Sequence, residues 1–307
     1  MTYDGAALAF LGLSTIKGVG FKTLRELGGV AGVDRLIDAL GAEEVVRRLS
    51  KDAPKGDVEA QVGDAGYSLV EKLRSEGIHL VSRGDSLYPS SFLDLPEELQ
   101  PLWFFFKGDH SLLQRPSVAV VGTRKPSDAG KYLAQHAVLT LREHDLPTVS
   151  GLAHGVDEIV HDWSILAGLP TISVLGTGLL RTYPASNASL AGRIVASGGL
   201  LITEYLPDAG PTSEGFVWRN RLQAALGSCL VAPEWKASSG TSHTVRYAKS
   251  LGRTTINLTT RTPSQLNPGP ADYSFSIPGE QALFVDRVLK SVRLPRTTAQ
   301  AQLGLDI

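Results

Sequence analysis

The stretch SVAVVGTR runs from Ser117 to Arg124. Val118, Ala119, Val120 and Val121 form a short continuous apolar run, which suits a strand buried on both faces of a parallel sheet. Gly122 ends the run, and Thr123, Arg124 and Lys125 follow. Ser127 and Asp128 then offer a helix cap. Strand, glycine and helix start is how α/β proteins build an anion site, because N–H groups at the helix start point at the ligand. Arg124 adds a planar fork for phosphate oxygens. A tight turn carrying a solvated arginine fits the same eight residues.

The pattern around this stretch favours a sheet. Apolar runs recur at 118–121, 148–149, 171–175, 200–202, 229–232 and 254–258. Helix-like stretches lie between them at 128–145, 156–168, 187–198, 215–226 and 241–251. Such alternation predicts a mostly parallel sheet, doubly wound with helices on both faces. Right-handed crossovers put the strand carboxyl ends on one edge, where open α/β sheets bind ligands. The sheet is expected to end near residue 258, with one further helix at 280–292.

The loops predicted on that edge share a composition. They are Gly122-Thr123-Arg124, Ser150-Gly151, Gly176-Thr177-Gly178 with Arg181, and Ser239-Gly240-Thr241. Glycine beside Ser or Thr supplies backbone and hydroxyl donors to anions. Four such loops on one edge point to a phosphate-bearing ligand. Arg219, Asn220 and Arg221 are expected at a helix start facing the same edge. Arg219 and Arg221 do not share one helical face, so one is free to hold the fold while the other meets ligand. Tyr183 and Trp218 are candidate stacking platforms, with core packing as the alternative.

Before residue 77 the chain reads as a small helical domain, 1–76. Ile16-Lys17-Gly18-Val19-Gly20 between two helix-like stretches resembles a helix-hairpin-helix turn, used either for DNA phosphates or only for packing. A helical pattern continues through Val45, Val46 and Leu49, and residues 50–66 read as a polar loop. Strands are expected at 78–81 and 103–106. An α/β domain then spans 77–292, and a tail spans 293–307.

Composition narrows the function. The chain has 307 residues, 42% hydrophobic and 20% charged, with formal net charge −1. A nucleic-acid site must therefore be a local patch. The single cysteine, Cys229, excludes an internal disulfide framework and a cysteine-based zinc site. The start lacks a signal-peptide pattern and no apolar run reaches membrane-spanning length, so a cytoplasmic protein without membrane contact is expected.

Five spaced motifs over roughly residues 84–260 resemble the DNA-processing protein A family (DprA, also called Smf). Leu87-Tyr88-Pro89 with Phe105-Phe106-Lys107-Gly108 matches the pattern before the sheet, and Gly122-Thr123-Arg124 the first strand end. Ser150 to Ala153, Gly155 to Asp157 and His161 match the second block. Val174 to Leu179, Tyr183-Pro184 and Asn187 match the third, and Phe216, Arg219, Asn220 and Arg221 the last. The resemblance implies an extended Rossmann-like sheet, single-stranded DNA as ligand, homodimers and delivery of the strand to a RecA-type recombinase. It implies natural transformation or recombination as the setting, and neither catalytic turnover nor a cofactor. His154 stands where the family usually carries arginine. The later blocks, 230–234 and 239–245, diverge, and the end of the chain does not fit the family's frequent winged helix.

Other chemistry is weaker. Asp157 and His161 are i and i+4, and read best as a satisfied pair closing a loop, since no third metal ligand is evident. Glu204 and Glu234, at strand ends, fit either paired carboxylates or supports that hold the arginines of 219–221, the second being preferred. A G-x-S-x-G elbow, a Walker loop and G-x-G-x-x-G are absent. Gly198-Gly199 lacks the rest of a phosphoribohydrolase motif. The alternative is a sensor of a small nucleotide ligand in a phage-defence or toxin–antitoxin module, with a cognate toxin as partner.

Overall fold

The structure, a computed structural model, describes residues 3–40, 58–261 and 270–293. Its strands are β1 (His79–Ser82), β2 (Trp103–Gly108), β3 (Ser117–Val120), β4 (Thr148–Ser150), β5 (Thr171–Val174), β6 (Leu200–Thr203), β7 (Gly227–Ala232), β8 (Thr254–Thr259) and β9 (Tyr273–Ser276). The helices before the sheet are α1 (Gly5–Ser14), α2 (Phe21–Glu26), α3 (Val33–Leu40) and α4 (Val58–Ser75). Those within and after it are α5 (Asp128–Glu143), α6 (Val156–Leu166), α7 (Ala188–Ala196), α8 (Ser213–Trp218), α9 (Asn220–Leu226), α10 (Thr241–Ser250) and α11 (Gln281–Arg293).

The strands form one sheet in the order β1-β2-β6-β5-β4-β3-β7-β8-β9. Pairing is parallel from β6 through β9, and antiparallel where β2 joins β6 and β1 joins β2. The α/β, mostly parallel, doubly wound architecture is therefore present. Every residue of β3 is buried, for a direct reason. Val118 and Val120 share a core with Leu133 and Ala134 of α5, while Ala119 and Val121 share the opposite core with Leu222 and Ala225 of α9. A strand covered on both sides needs apolar residues at every position, and each buried valine contributes roughly 1.5–3 kcal/mol.

Two expectations need correction. The sheet does not end near 258: β9 adds a parallel partner to β8, with Ile256 opposite Tyr273. Tyr-Ser-Phe-Ser is too short and polar to stand out as a run. It is anchored by Asp272, whose carboxylate accepts from the Thr255 N–H at 2.8 Å and its hydroxyl at 2.7 Å. The polar loop expected at 50–66 is helical from Val58 onward. Gly66 of α4 lies against α1, where a Cβ would come within 2.1 Å of the Leu8 carbonyl oxygen, so it is a close-packing residue and not a turn signal. The helical pattern expected at 45–49 and the tail lie outside the described residues, apart from Arg293 at the end of α11.

The turn at 16–20 does join α1 to α2, with Gly18 at φ 93°. Ile16 and Val19 are buried there. They pack with Phe10, Leu13, Trp103 and Phe105 in a core shared between the N-terminal helices and β1–β2. Phe10 and Phe21 stand 5.0 and 5.5 Å from the Trp103 ring.

Candidate functional site

The strand order places β4, β5 and β6 on one side of β3 and β7, β8 and β9 on the other. Loops leaving β3 and β7 therefore diverge, and a crevice opens between them. A pocket of about 890 Å³ occupies it. Gly122 to Lys125 line one wall, and Glu234 to Lys236 with Ser239 to Thr241 line the other. Arg219 and Asn220, where α8 passes into α9, contribute the base.

Local chemistry shapes each wall. At Gly122 a Cβ would stand 2.6 Å from Val156 and 2.8 Å from the Glu234 carbonyl oxygen, so only glycine lets the two loops meet. The Thr123 N–H donates to that carbonyl at 2.8 Å, and the Thr241 hydroxyl donates to the Gly122 carbonyl at 3.0 Å. The Glu234 carboxylate accepts from the Ser127 N–H and hydroxyl, each at 2.9 Å, and Ser127 caps α5 by accepting from the Gly130 N–H at 3.1 Å. This locks the turn and leaves Arg124 and Lys125 exposed. The Arg124 guanidinium lies 5.6 Å over the Phe216 ring, and the exposed Tyr183 ring stands 5.3 Å from the same Phe216 ring. Among the described residues Arg124, Lys125 and Lys236 make no ion pair within 4.0 Å.

Arg219 and Arg221 go different ways. Arg219 lies beneath the pocket, donating to the Gly151 carbonyl at 3.0 Å and to the Val174 carbonyl, with Asp157 at 3.9 Å. Burial pushes the Asp157 carboxyl above its ordinary value, and Arg219 opposes that shift. The expected phosphate contact from Arg221 does not hold. Its side chain is 0% exposed, paired with Glu204 at 2.5 Å and donating to the Leu99 carbonyl at 2.7 Å. Arg25 of α2 reaches the same Glu204 at 3.5 Å. Trp218 is held between the two, with Arg221 at 4.1 Å and Arg25 at 5.2 Å from its ring, so it is no stacking platform. Asn220 stays at the pocket, donating to the Gly240 carbonyl at 3.3 Å.

The loops after β4 and β5 are also corrected. Ser150 is buried and donates to the Val120 carbonyl at 2.7 Å. Gly151 makes room for Arg219, 2.1 Å from where a Cβ would sit, and Gly176 makes room for Phe216 at 2.6 Å. Thr177 is buried, and Gly178 is enclosed by the Leu206 and Pro207 carbonyls. Gly151 and Gly176 seat side chains that form the pocket, and none of the three glycines lines it. Arg181 is exposed and lies outside the lining. Ser239, Gly240 and Thr241 do line it.

His161 does not close onto Asp157. Its Nδ1 lies 2.8 Å from the Thr171 hydroxyl, and burial pushes its pKa down to about 3. His154 is exposed, with Nδ1 3.3 Å from Glu158. No cluster of three or more His, Cys, Asp or Glu suited to a metal occurs among the described residues. No helix among them is long and apolar enough to cross a membrane. Sequence reasoning missed Trp235, Lys236 and Gln223 as lining residues and used Phe216 only as a motif match. An aromatic–lysine pair shortly after the apolar run of β7 was the available signal.

The geometry can be set beside known proteins. The chain is 36% identical over 257 residues to a putative DNA processing protein DprA of Mycobacterium tuberculosis, covering 78% of this chain and 64% of that protein. It is 31% identical over 194 residues to the protein Smf of Synechocystis, covering 62% and 48%. It thus spans about half to two thirds of these relatives. The X-ray structure of DprA from Streptococcus pneumoniae superposes with a TM-score of 0.61 at 25% identity, covering 92% of this chain and 98% of that one. DNA processing protein A from Helicobacter pylori, in a structure concerned with its single-stranded DNA binding mode, gives 0.59 at 28%, covering 69% and 96%. A model of the DNA recombination-mediator protein A family matches residues 79–273. With that match spanning the sheet and the pocket, the chain belongs to the DNA recombination-mediator protein A family.

Proposed function

We propose that this chain binds single-stranded DNA in the pocket at the β3–β7 crevice, without turnover. The observation that carries the reading is the unpaired cationic rim of Arg124, Lys125 and Lys236 beside the aromatic rings of Tyr183, Phe216 and Trp235. Cations that track phosphates and rings that stack on bases are what sequence-tolerant strand binding uses. The nearby carboxylates are engaged, Glu234 with Ser127 and Asp157 with Arg219, which favours binding over acid–base chemistry. Delivery of the strand to a RecA-type recombinase, self-association into a dimer and a cytoplasmic setting complete the proposal. Membership of the family supports them.

A second reading rests on the pocket's size. About 890 Å³ falls in the range of small-ligand sites, so a nucleotide sensor would use the same walls. Titrating the protein with a short labelled oligonucleotide and with mononucleotides separates the two. Strand binding predicts an affinity for the oligonucleotide that falls about twentyfold between 50 and 200 mM salt, as three phosphate contacts require at about 0.7 in slope each. Tight mononucleotide binding without oligonucleotide binding would overturn it.

A further inference from the structure

The helix α8 stands between the pocket and the N-terminal helices, and its side chains divide between the two. Phe216 lines the pocket and carries the Arg124 guanidinium over its ring. Trp218, two positions on, leaves the helix on another face and meets α2. There Arg25 stands 5.2 Å from the centre of the Trp218 ring and 3.5 Å from the Glu204 carboxylate. Arg25 is itself pinned, since its guanidinium donates to the Gln100 carbonyl at 3.0 Å and to the Glu98 carbonyl. A second contact runs beside the first. The Phe21 ring of α2 lies 4.8 Å from the Tyr205 ring, and the Tyr205 hydroxyl donates to the Gly215 carbonyl, within α8, at 3.2 Å.

With six residues, α8 is too short to persist on its own, so its position is set by what packs against it. The α2 helix grips it at two points, while α8 presents Phe216 to the pocket and passes directly into Arg219. Arg25 is not among the residues that line the pocket. We propose that Arg25 is a positioning residue for the pocket: through the Trp218 ring it sets α8, and with it the Phe216 ring that holds Arg124 at the rim. The N-terminal helices thereby form part of the binding apparatus without touching the strand there. The proposal rests on the single-strand reading and adds to it a residue that acts at a distance from the phosphates.

The test measures the affinity and salt slope of a short single-stranded oligonucleotide for the wild type, Arg25→Met, Trp218→Leu and the double variant. Each single variant is expected to bind about fivefold more weakly, the scale of a desolvated cation–π contact, with the wild-type salt slope retained. The double variant should lose no more than the weaker single one, because the two side chains act through one contact. Arg25→Lys keeps a cation over the ring and should recover most of the affinity. Val70→Ala opens a cavity in the same N-terminal core and controls for lost stability alone; it is expected to bind as the wild type does. An equal loss of affinity in Val70→Ala, unchanged affinity in Arg25→Met, or additive losses in the double variant would overturn the proposal and leave strand binding intact. A slope smaller by about 0.7 in Arg25→Met would make Arg25 a phosphate contact and overturn its positioning role. If Arg25→Met fails to fold, Trp218→Leu decides, and unchanged affinity there would overturn the proposal. Wild-type protein without salt-dependent binding would overturn the single-strand reading and this proposal with it.

Discussion

Arg124, Arg219 and Arg221 carry the same charge, and burial gives them three roles. Arg124 is exposed at the rim, Arg219 is neutralised by Asp157 beneath the pocket, and Arg221 is sealed in the core against Glu204. The motif was legible in the sequence, and so was the parting of Arg219 from Arg221, because positions two apart leave a helix on different faces; both are buried, against the expectation that one of them stands free for ligand. Which one faces which way was not, since Leu99 and Glu204 come from distant segments. Arg221→Leu strips the buried Glu204 of its nearer partner and is expected to lower stability by about 3 kcal/mol. Urea denaturation checks this, and a loss under about 1 kcal/mol would contradict it. The same blindness to distant partners hid the environment of His161, which turns to Thr171 on β5. Its pKa is pushed down to about 3 in the folded state, against an ordinary unfolded value near 6.5. Between those values the unfolded chain binds the extra proton, so stability is full above about pH 6.5 and falls as pH drops through that window. The loss at pH 5 is about 2 kcal/mol. His161→Gln should flatten this difference between pH 7 and pH 5; an unchanged difference would assign it to another group.

At the scale of elements, the alternation from residue 117 to 258 was readable. Each apolar run became a strand, and each intervening amphipathic stretch a helix, except that 215–226 is divided between α8 and α9. What failed was where tertiary contact overrides composition. Gly66 signals a turn locally but serves close approach of α1 and α4, and β9 exists only because β8 offers an edge. The glycine-rich loops carried a subtler error: several of the glycines accommodate Arg219 and Phe216 and do not touch the ligand space. Gly130 in α5 is a further case, since a Cβ there would lie 1.8 Å from the Glu234 carboxylate. Glycine-to-alanine in a helix ordinarily stabilises by roughly 1 kcal/mol. Here Gly130→Ala is expected to destabilise by about 1 kcal/mol, because Glu234 must leave Ser127 and charge-assisted hydrogen bonds are lost. Adding Glu234→Ala should remove the clash, so that in this background the alanine is no longer unfavourable. A stability gain from Gly130→Ala alone would show that Glu234 does not hold the turn.

Across the whole molecule, the N-terminal helices and the sheet are joined rather than merely adjacent. Phe10, Ile16 and Val19 share a core with Trp103 and Phe105, and Arg25 of α2 reaches Glu204 at the end of β6. The described helices and sheet are expected to unfold in one transition, with far-ultraviolet circular dichroism and tryptophan fluorescence coinciding; two separated transitions would show independent units. This joint frame fixes α8 and α9, and so holds Phe216 and Arg219 against the loops after β3 and β7. What the frame presents to solvent is a small cationic rim on a chain of net charge −1, so affinity should reside in a few named side chains. The most direct measurement is the salt dependence of single-stranded oligonucleotide binding by wild-type protein and by Arg124→Ala. A log–log slope near about −2 is expected for the wild type, shrinking by about 0.7 in the variant. The affinity loss should be about tenfold, equivalent to ~1.4 kcal/mol, with an unchanged melting temperature. An unchanged slope and affinity in Arg124→Ala would contradict the site.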